Sequence, residues 1–319
     1  MAAVALPTAV TKPELATATG GQLAEVEYDE FGLFRENAEE YDIPWRGPPT
    51  VRREFVDAGD GRRVSALVWG DAEPELVLVH GGAQNAHTWD TVALALDHPL
   101  VAVDLPGHGH SDWRDDRRYW PENNANDVAT VMRALAPSVD LVVGMSLGGL
   151  TSIALAARHP ELVPRLMLVD VTPGVDRDKA APIAAFVAGP ERFESFDEIL
   201  ERTIAFNPTR TESSLRRGIL HNARADEDGS WTWRYDRWRL GEGEDIPDFR
   251  PLWDDVAKLT IPVMLVRGAE SGVVSDEDVA ELRRHQPGVL VEVVEGSGHS
   301  VQGDRPLELA RLIESFVDE

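Results

Sequence analysis

The stretch Leu141–Leu150, LVVGMSLGGL, sets a serine between two glycines at the end of an apolar run. A bare Gly-x-Ser-x-Gly match arises by chance about 0.1 times in a chain of this size, so the pattern alone decides little. Its surroundings carry more. Leu141, Val142 and Val143 read as a short buried strand, and LGGLTSIALAARHP (147–160) reads as a helix lined with small residues. A strand that turns sharply into a helix lifts the turn residue above the sheet edge, and Gly144, Gly148 and Gly149 relieve the crowding around it. Ser146 is therefore a candidate nucleophile.

The pattern outward from this turn is one of strands alternating with helices. VRREFV (51–56) and RVSALVW (63–69) flank the turn signal DAGDG and read as an antiparallel hairpin. ELVLVH (75–80) and PLVAVD (99–104) are continuous apolar runs separated by the helical HTWDTVALAL (87–96). A helix over about 124–135 precedes the serine strand, and RLMLVD (165–170) follows its helix. Such alternation predicts a mainly parallel sheet. Residues 172–256 break the pattern with helical, Arg- and Trp-rich sequence before it resumes at IPVMLVRG (261–268) and VLVEVVEG (289–296). This gives a core of 51–171 plus 257–319, with 172–256 inserted as a helical cap. Within the insertion Trp231, Trp233 and Tyr235 recur at period two, on one face of an extended segment, where they either line an acyl pocket or fasten the cap to the body. Residues 1–50 read as an Ala- and Thr-rich leader, then an amphipathic helix in DEFGLFRENAEEY (29–41) with Phe31, Phe34 and Ala38 on one side, then the irregular connector PWRGPP.

Composition narrows the function. In 319 residues, 43% of them hydrophobic, there is enough apolar material for a substantial core. A formal charge of -25 argues against nucleic acid or an anionic membrane surface as partner, since both attract basic patches. With no cysteine the chain has no disulfide, thiolate nucleophile or Cys-based metal site. The N-terminus lacks a basic segment and is broken by Pro7, unlike a signal peptide, and no apolar run is long enough to span a bilayer. These features predict a cytoplasmic protein acting on a small neutral or cationic molecule.

A serine hydroxyl needs a base, a group that orients the base, and donors for a developing oxyanion. Of nine histidines, His299 in EGSGHSVQGDRP follows the last predicted strand in a Gly/Ser loop, the kind of place where α/β sheets carry their sites. It is the candidate base. The backbone N–H of Leu147 and that of Gly82, in HGGAQNAHTW, are the candidate oxyanion donors. His80 reads as a brace for that loop, and His108 and His110 as turn residues; without further clustered ligands they predict no metal site.

HGG (80–82), DLPGHGHS (104–111), GMSLGG (144–149) and SGHS (297–300) together resemble the α/β-hydrolase superfamily over residues 51–319. The likeness narrows to serine esterases of mycobacterial type through LVDVTP (168–173), RRGILHN (216–222), WRYD (233–236), LWDDV (252–256), SGHSVQ (297–302) and DEFGLFRENAEE (29–40). The resemblance implies an α/β-hydrolase fold, a mainly parallel central sheet flanked by helices with an inserted cap. It further implies cofactor-free hydrolysis of short to medium acyl esters.

The acid is where the sequence departs from that family, which usually places an Asp in the loop after the next-to-last strand. Here the loop is RGAESGVVSDED (267–278) and the position holds Gly272. Asp170, at the tip of RLMLVD, fits best and keeps the order Ser, Asp, His; some superfamily members, haloalkane dehalogenases and pancreatic-type lipases among them, carry the acid after that earlier strand. Glu270 and Asp276 are alternatives, although Asp276 more naturally caps the helix that follows. Serine at 146 argues against dehalogenase or epoxide-hydrolase chemistry, which uses a carboxylate nucleophile on this fold. Carbon–carbon, lactone or thioester hydrolysis remains open, as does a ligand-binding receptor with a slow triad, for which Gly272 is the argument.

Overall fold

The computed structural model describes residues 28–96, 98–175, 177–237 and 248–318. The leader read from the sequence lies outside the described residues. Helix α1 (Phe34–Glu40) buries Phe34 and Ala38, and Phe31 stacks on Phe34 from the preceding turn. Then come β1 (Val51–Asp57), β2 (Arg63–Trp69), β3 (Leu76–Val79), α2 (Asp90–Ala95), β4 (Leu100–Val103), α3 (Pro121–Leu135), β5 (Leu141–Met145), α4 (Leu147–Arg158) and β6 (Leu166–Val169). The segment from 177 to 233 forms α5 (Arg177–Val187), β7 (Arg192–Phe193), α6 (Phe196–Phe206), α7 (Glu212–Asn222), β8 (Ala223–Ala225) and β9 (Trp231–Trp233). The chain closes with α8 (Leu252–Val256), β10 (Val263–Gly268), α9 (Asp276–His285), β11 (Leu290–Val294), α10 (Val301–Asp304) and α11 (Pro306–Asp318).

Eight strands form one sheet in the order β1-β2-β4-β3-β5-β6-β10-β11. The β1–β2 and β2–β4 pairs are antiparallel and the rest are parallel. LVLV, LVAV, LVVGM and LMLV are buried at every position, because helices cover both faces of the sheet there. β1, at one edge, has no fully buried position and carries Arg52, Arg53, Glu54 and Asp57. The path leaves β3 for β4 on one side and returns to β5 on the other. Strand order thus reverses between β3 and β5, and the loops leaving their carboxyl ends diverge into a crevice.

The segment between β6 and β10 is less helical than its sequence implies: β7, β9 and β8 form a small antiparallel sheet. Ala223–Ala225 and Trp231–Trp233 pair across a turn in which Gly229 takes φ 84° and donates to Asp226 O at 2.9 Å. A separate apolar cluster, centred on Phe193, Ile199, Ile219, Leu220 and Trp231, holds this segment together. Among the described residues no helix is long and apolar enough to cross a membrane.

Candidate active site

Ser146 stands between β5 and α4 with φ 51° and ψ −120°, a strained conformation for a residue with a side chain. Its N–H donates to Val169 O at 3.2 Å, tying the turn to β6. The flanking glycines are dictated by contact. A Cβ on Gly144 would stand 2.5 Å from Gly148 O, and one on Gly148 would run into the carbonyls of Val79 and His80. Helix α4 thus begins directly against the end of β3, which brings the serine beside the loop from His80 to Asn85.

Asp170, at the end of β6, is fully buried and also takes a positive φ, 51°. Its Oδ1 accepts from the Gly268 N–H at 3.0 Å, and its Oδ2 accepts from Ser271 Oγ at 2.5 Å and from His299 Nδ1 at 2.7 Å. An ionised carboxylate can only accept, so the His299 proton sits on Nδ1 and Nε2 keeps its lone pair. The other two carboxylates are placed differently. Glu270 is exposed, and the only hydrogen bond it makes among the described residues is from its backbone N–H to Ser297 O at 2.9 Å. The Asp276 side chain is 86% exposed and pairs with Arg267 at 2.7 Å. Nor does Asp276 cap α9, as its position in the sequence implies: Ser275 does, in a reciprocal capping box with Asp278, because the cap must lie one residue before the first helical position. At Gly272 a side chain would meet open space. The neighbouring Ser271, which the sequence reading passed over, supplies the polar contact from this loop.

Ser146, Leu147, Gly82 and His299 line one cavity of about 640 Å³. No hydrogen bond joins the Ser146 hydroxyl to His299 among the described residues. The N–H groups of Gly82 and Leu147 have no acceptor among those residues either; Leu147 opens α4, whose first amides have no intrahelical partner. The tight glycine of this loop is Gly81. A Cβ on Gly81 would stand 2.5 Å from Met145 Sδ and 3.2 Å from Ser146 Cβ, whereas one on Gly82 would make ordinary contact with Leu147 at 3.9 Å.

Buried histidines and an asparagine hold this loop. His80 Nδ1 donates to Gly81 O at 2.7 Å while Nε2 accepts from the Leu105 N–H at 2.9 Å. His108 donates from Nδ1 to Pro106 O at 3.1 Å and accepts at Nε2 from the Ala83 N–H at 3.0 Å. Both rings must be neutral to accept there. Burial depresses both pKa values, that of His80 to about 3 with the neighbouring His108 adding to the effect. Asn222, the last residue of RRGILHN, donates to Ala83 O at 2.7 Å and accepts from Asn85 at 3.1 Å. The sequence offered no sign of that tie, since its partners lie 137 and 139 positions apart.

Beside the cavity lies a buried charge network invisible in the sequence. Arg53 bridges Glu30 and Asp104, and His87 Nδ1 meets Asp90 at 2.9 Å and Nε2 meets Glu30 at 3.2 Å. Burial alone would depress His87, but Asp90 and Glu30 outweigh it and hold the ring up at about 9, so it carries charge at neutral pH. His221 stacks on His87 with centroids 3.7 Å apart and planes 10° apart, and accepts at Nδ1 from Tyr28 Oη at 2.9 Å. His87, Asp90 and His221 bring three ligand atoms within 4.8 Å of one another. Parallel stacking nevertheless points the imidazole lone pairs along separate planes rather than at one point, so the arrangement serves the charge network better than a cation. The aromatic alternatives read from the sequence divide: Trp233 lines the cavity, while Trp231 and Tyr235 pack on Phe196 and Trp233.

A reversing parallel sheet, a strained serine at its crevice and a histidine held by a buried Asp are features of one class of protein. The model of the alpha/beta hydrolase family matches residues 76–312, and the chain belongs to that family. It is 49% identical over 300 residues to the esterase Rv0045c of Mycobacterium tuberculosis, covering 91% of this chain and 96% of that protein. A crystal structure of that esterase superposes with a TM-score of 0.82 over 92% of this chain and 100% of the other, at 47% identity. The 3-hydroxybutyrate-oligomer hydrolase of Cupriavidus necator is 31% identical over 80% of this chain and 93% of its own length. A crystal structure of E-2-(acetamidomethylene)succinate hydrolase matches with a TM-score of 0.75 and 26% identity, over 85% of this chain and all of that one.

Proposed function

We propose that the protein is a serine esterase that cleaves small-molecule carboxylic esters through an acyl-enzyme. The observation that carries this reading is the contact of buried Asp170 with His299 Nδ1 at 2.7 Å, His299 lining the same cavity as the strained Ser146. His299 Nε2 takes the Ser146 proton as Oγ attacks the ester carbonyl. Asp170 keeps the ring in the required tautomer and stabilises the imidazolium that forms. The unbonded N–H groups of Gly82 and Leu147 receive the oxyanion, and the alcohol leaves with the proton held by His299. Water then enters, loses a proton to the same histidine and releases the acid. The open distance between serine and histidine closes on substrate binding, as such contacts tighten in the Michaelis complex.

The segment 172–256 acts as the cap. Phe186, Phe206 and Trp233 give the cavity an apolar wall suited to a short or medium acyl chain. The esterase named among the relatives supports ester hydrolysis. The action is cytoplasmic and needs no cofactor.

The test is turnover of aryl esters of increasing acyl length. Ser146→Ala should lose at least about 10³-fold in kcat, and Asp170→Asn should be milder than that by about 10²-fold, since serine, base and oxyanion donors remain. If Ser146→Ala stayed within tenfold of the wild type, the nucleophile would be misassigned.

A further inference from the structure

Arg210, in the loop between α6 and α7, lines the cavity that holds Ser146 and His299. Among the described residues no carboxylate oxygen lies within 4.0 Å of its guanidinium. Its one side-chain hydrogen bond there is from Nη2 to Ser214 Oγ at 2.6 Å, and Nε is enclosed without any partner. Arg217, on the adjoining helix and in the same wall, is the contrast: it bonds Asn37 at 2.8 Å, Ser213 at 2.6 Å and the carboxylate of Glu40. Two arginines thus face one cavity, one neutralised by the protein and one not.

The guanidinium rests against Gly303, where a Cβ would stand 2.9 Å from both Cζ and Nη1. Any larger residue at 303 would displace it. Gly303 lies four positions beyond His299, so the cation sits next to the turn that follows the proposed base. Burial lowers the Arg210 pKa, opposed at longer range by Asp304, Tyr41 and Glu40. A guanidinium does not give up its proton in a protein, so it meets desolvation as a cation and gains most from an anion brought to it. The planar fork suits a carboxylate, and Nη1 makes no hydrogen bond among the described residues.

We propose that Arg210 recognises a carboxylate on the substrate, so that the site takes esters bearing a carboxylate remote from the scissile bond. This rests on the esterase reading and adds a substrate class to it. The overall charge of -25 repels anions, so the preference must arise locally, at this side chain.

The experiment compares matched ester pairs that differ only in a terminal carboxylate. One pair carries it on the acyl side, 4-nitrophenyl hemiglutarate against 4-nitrophenyl butyrate. The other carries it on the alcohol side, phenyl acetate with and without a para-carboxymethyl group. Wild type should favour the charged member of at least one pair by tenfold or more in kcat/KM, and the responding pair tells which side carries the anion. In Arg210→Met that ratio should fall at least tenfold, mainly through KM, and Arg210→Lys should keep part of it. A wild-type preference for the neutral member in both pairs, or an unchanged ratio in Arg210→Met, overturns the proposal. Folding is read independently from Tm. Should wild type hydrolyse no ester, the esterase reading fails while the anion site is still judged: glutarate should raise the Tm of wild type but not of Arg210→Met, and no rise in wild type overturns it.

Discussion

Asp170 shows how much one side chain depends on its neighbours. Both carboxylate oxygens are used, by Gly268, Ser271 and His299, and the residue holds φ 51° to present them. Ser271 is the removable member of this set. A hydrogen bond to a charged group is worth roughly 1.5–3 kcal/mol, of which Gly268 and His299 would recover part. Ser271→Ala should therefore reduce kcat/KM by about tenfold, with Ser271→Thr restoring most of it. Steady-state rates on one ester decide this; an alanine variant indistinguishable from wild type would mean that Asp170 is held without Ser271. In the same loop, Gly272 has space around it but no carboxylate, and the polar contact to Asp170 comes one residue earlier.

At the level of elements, the crevice exists because α4 presses on the end of β3 and α7 reaches the loop beyond it. Gly148→Ala would drive a methyl group into the Val79 and His80 carbonyls, overpacking that costs about 1–3 kcal/mol, visible as a lower midpoint in urea with an unchanged slope. Asn222→Ala removes the α7 tie and leaves the Ala83 carbonyl without that donor, at a cost of about 1–3 kcal/mol if no water replaces it. Because Ala83 adjoins Gly82, the expected signature is a several-fold drop in kcat with little change in KM. A change confined to KM would place Asn222 in substrate binding instead.

For the whole molecule, two buried histidines impose opposite pH limits. His80 has a folded pKa of about 3, depressed by burial, so the stability of its neutral form is complete above about pH 6.5 and is lost as pH falls toward 3. His87 is raised to about 9, so its contribution is complete below about pH 6.5 and is lost as pH rises through 9. His108 and His110 are also depressed, by burial first, and steepen the acid side. Thermal unfolding from pH 4 to 10 should give a Tm maximum near neutrality. His87→Gln should flatten the alkaline fall, and an unchanged alkaline limb in that variant would assign the loss to other groups.

Much of this architecture was legible in the sequence because its causes are local. Fully apolar runs of four or five residues mark strands covered on both faces, and the glycines around Ser146 record a turn whose crowding comes from adjacent backbone. The β1–β2 hairpin was readable for the same reason. The sequence alone also offered Asp170, Glu270 and Asp276 as candidate acids and His299 as candidate base. Only the tertiary structure decided which carboxylate meets His299, that Ser271 joins it, that Gly81 rather than Gly82 is the tight position, and that Arg210 lacks the carboxylate partner that Arg217 has. Each of these depends on residues up to 177 positions apart, brought together by sheet order and loop path, and no local periodicity encodes such a meeting.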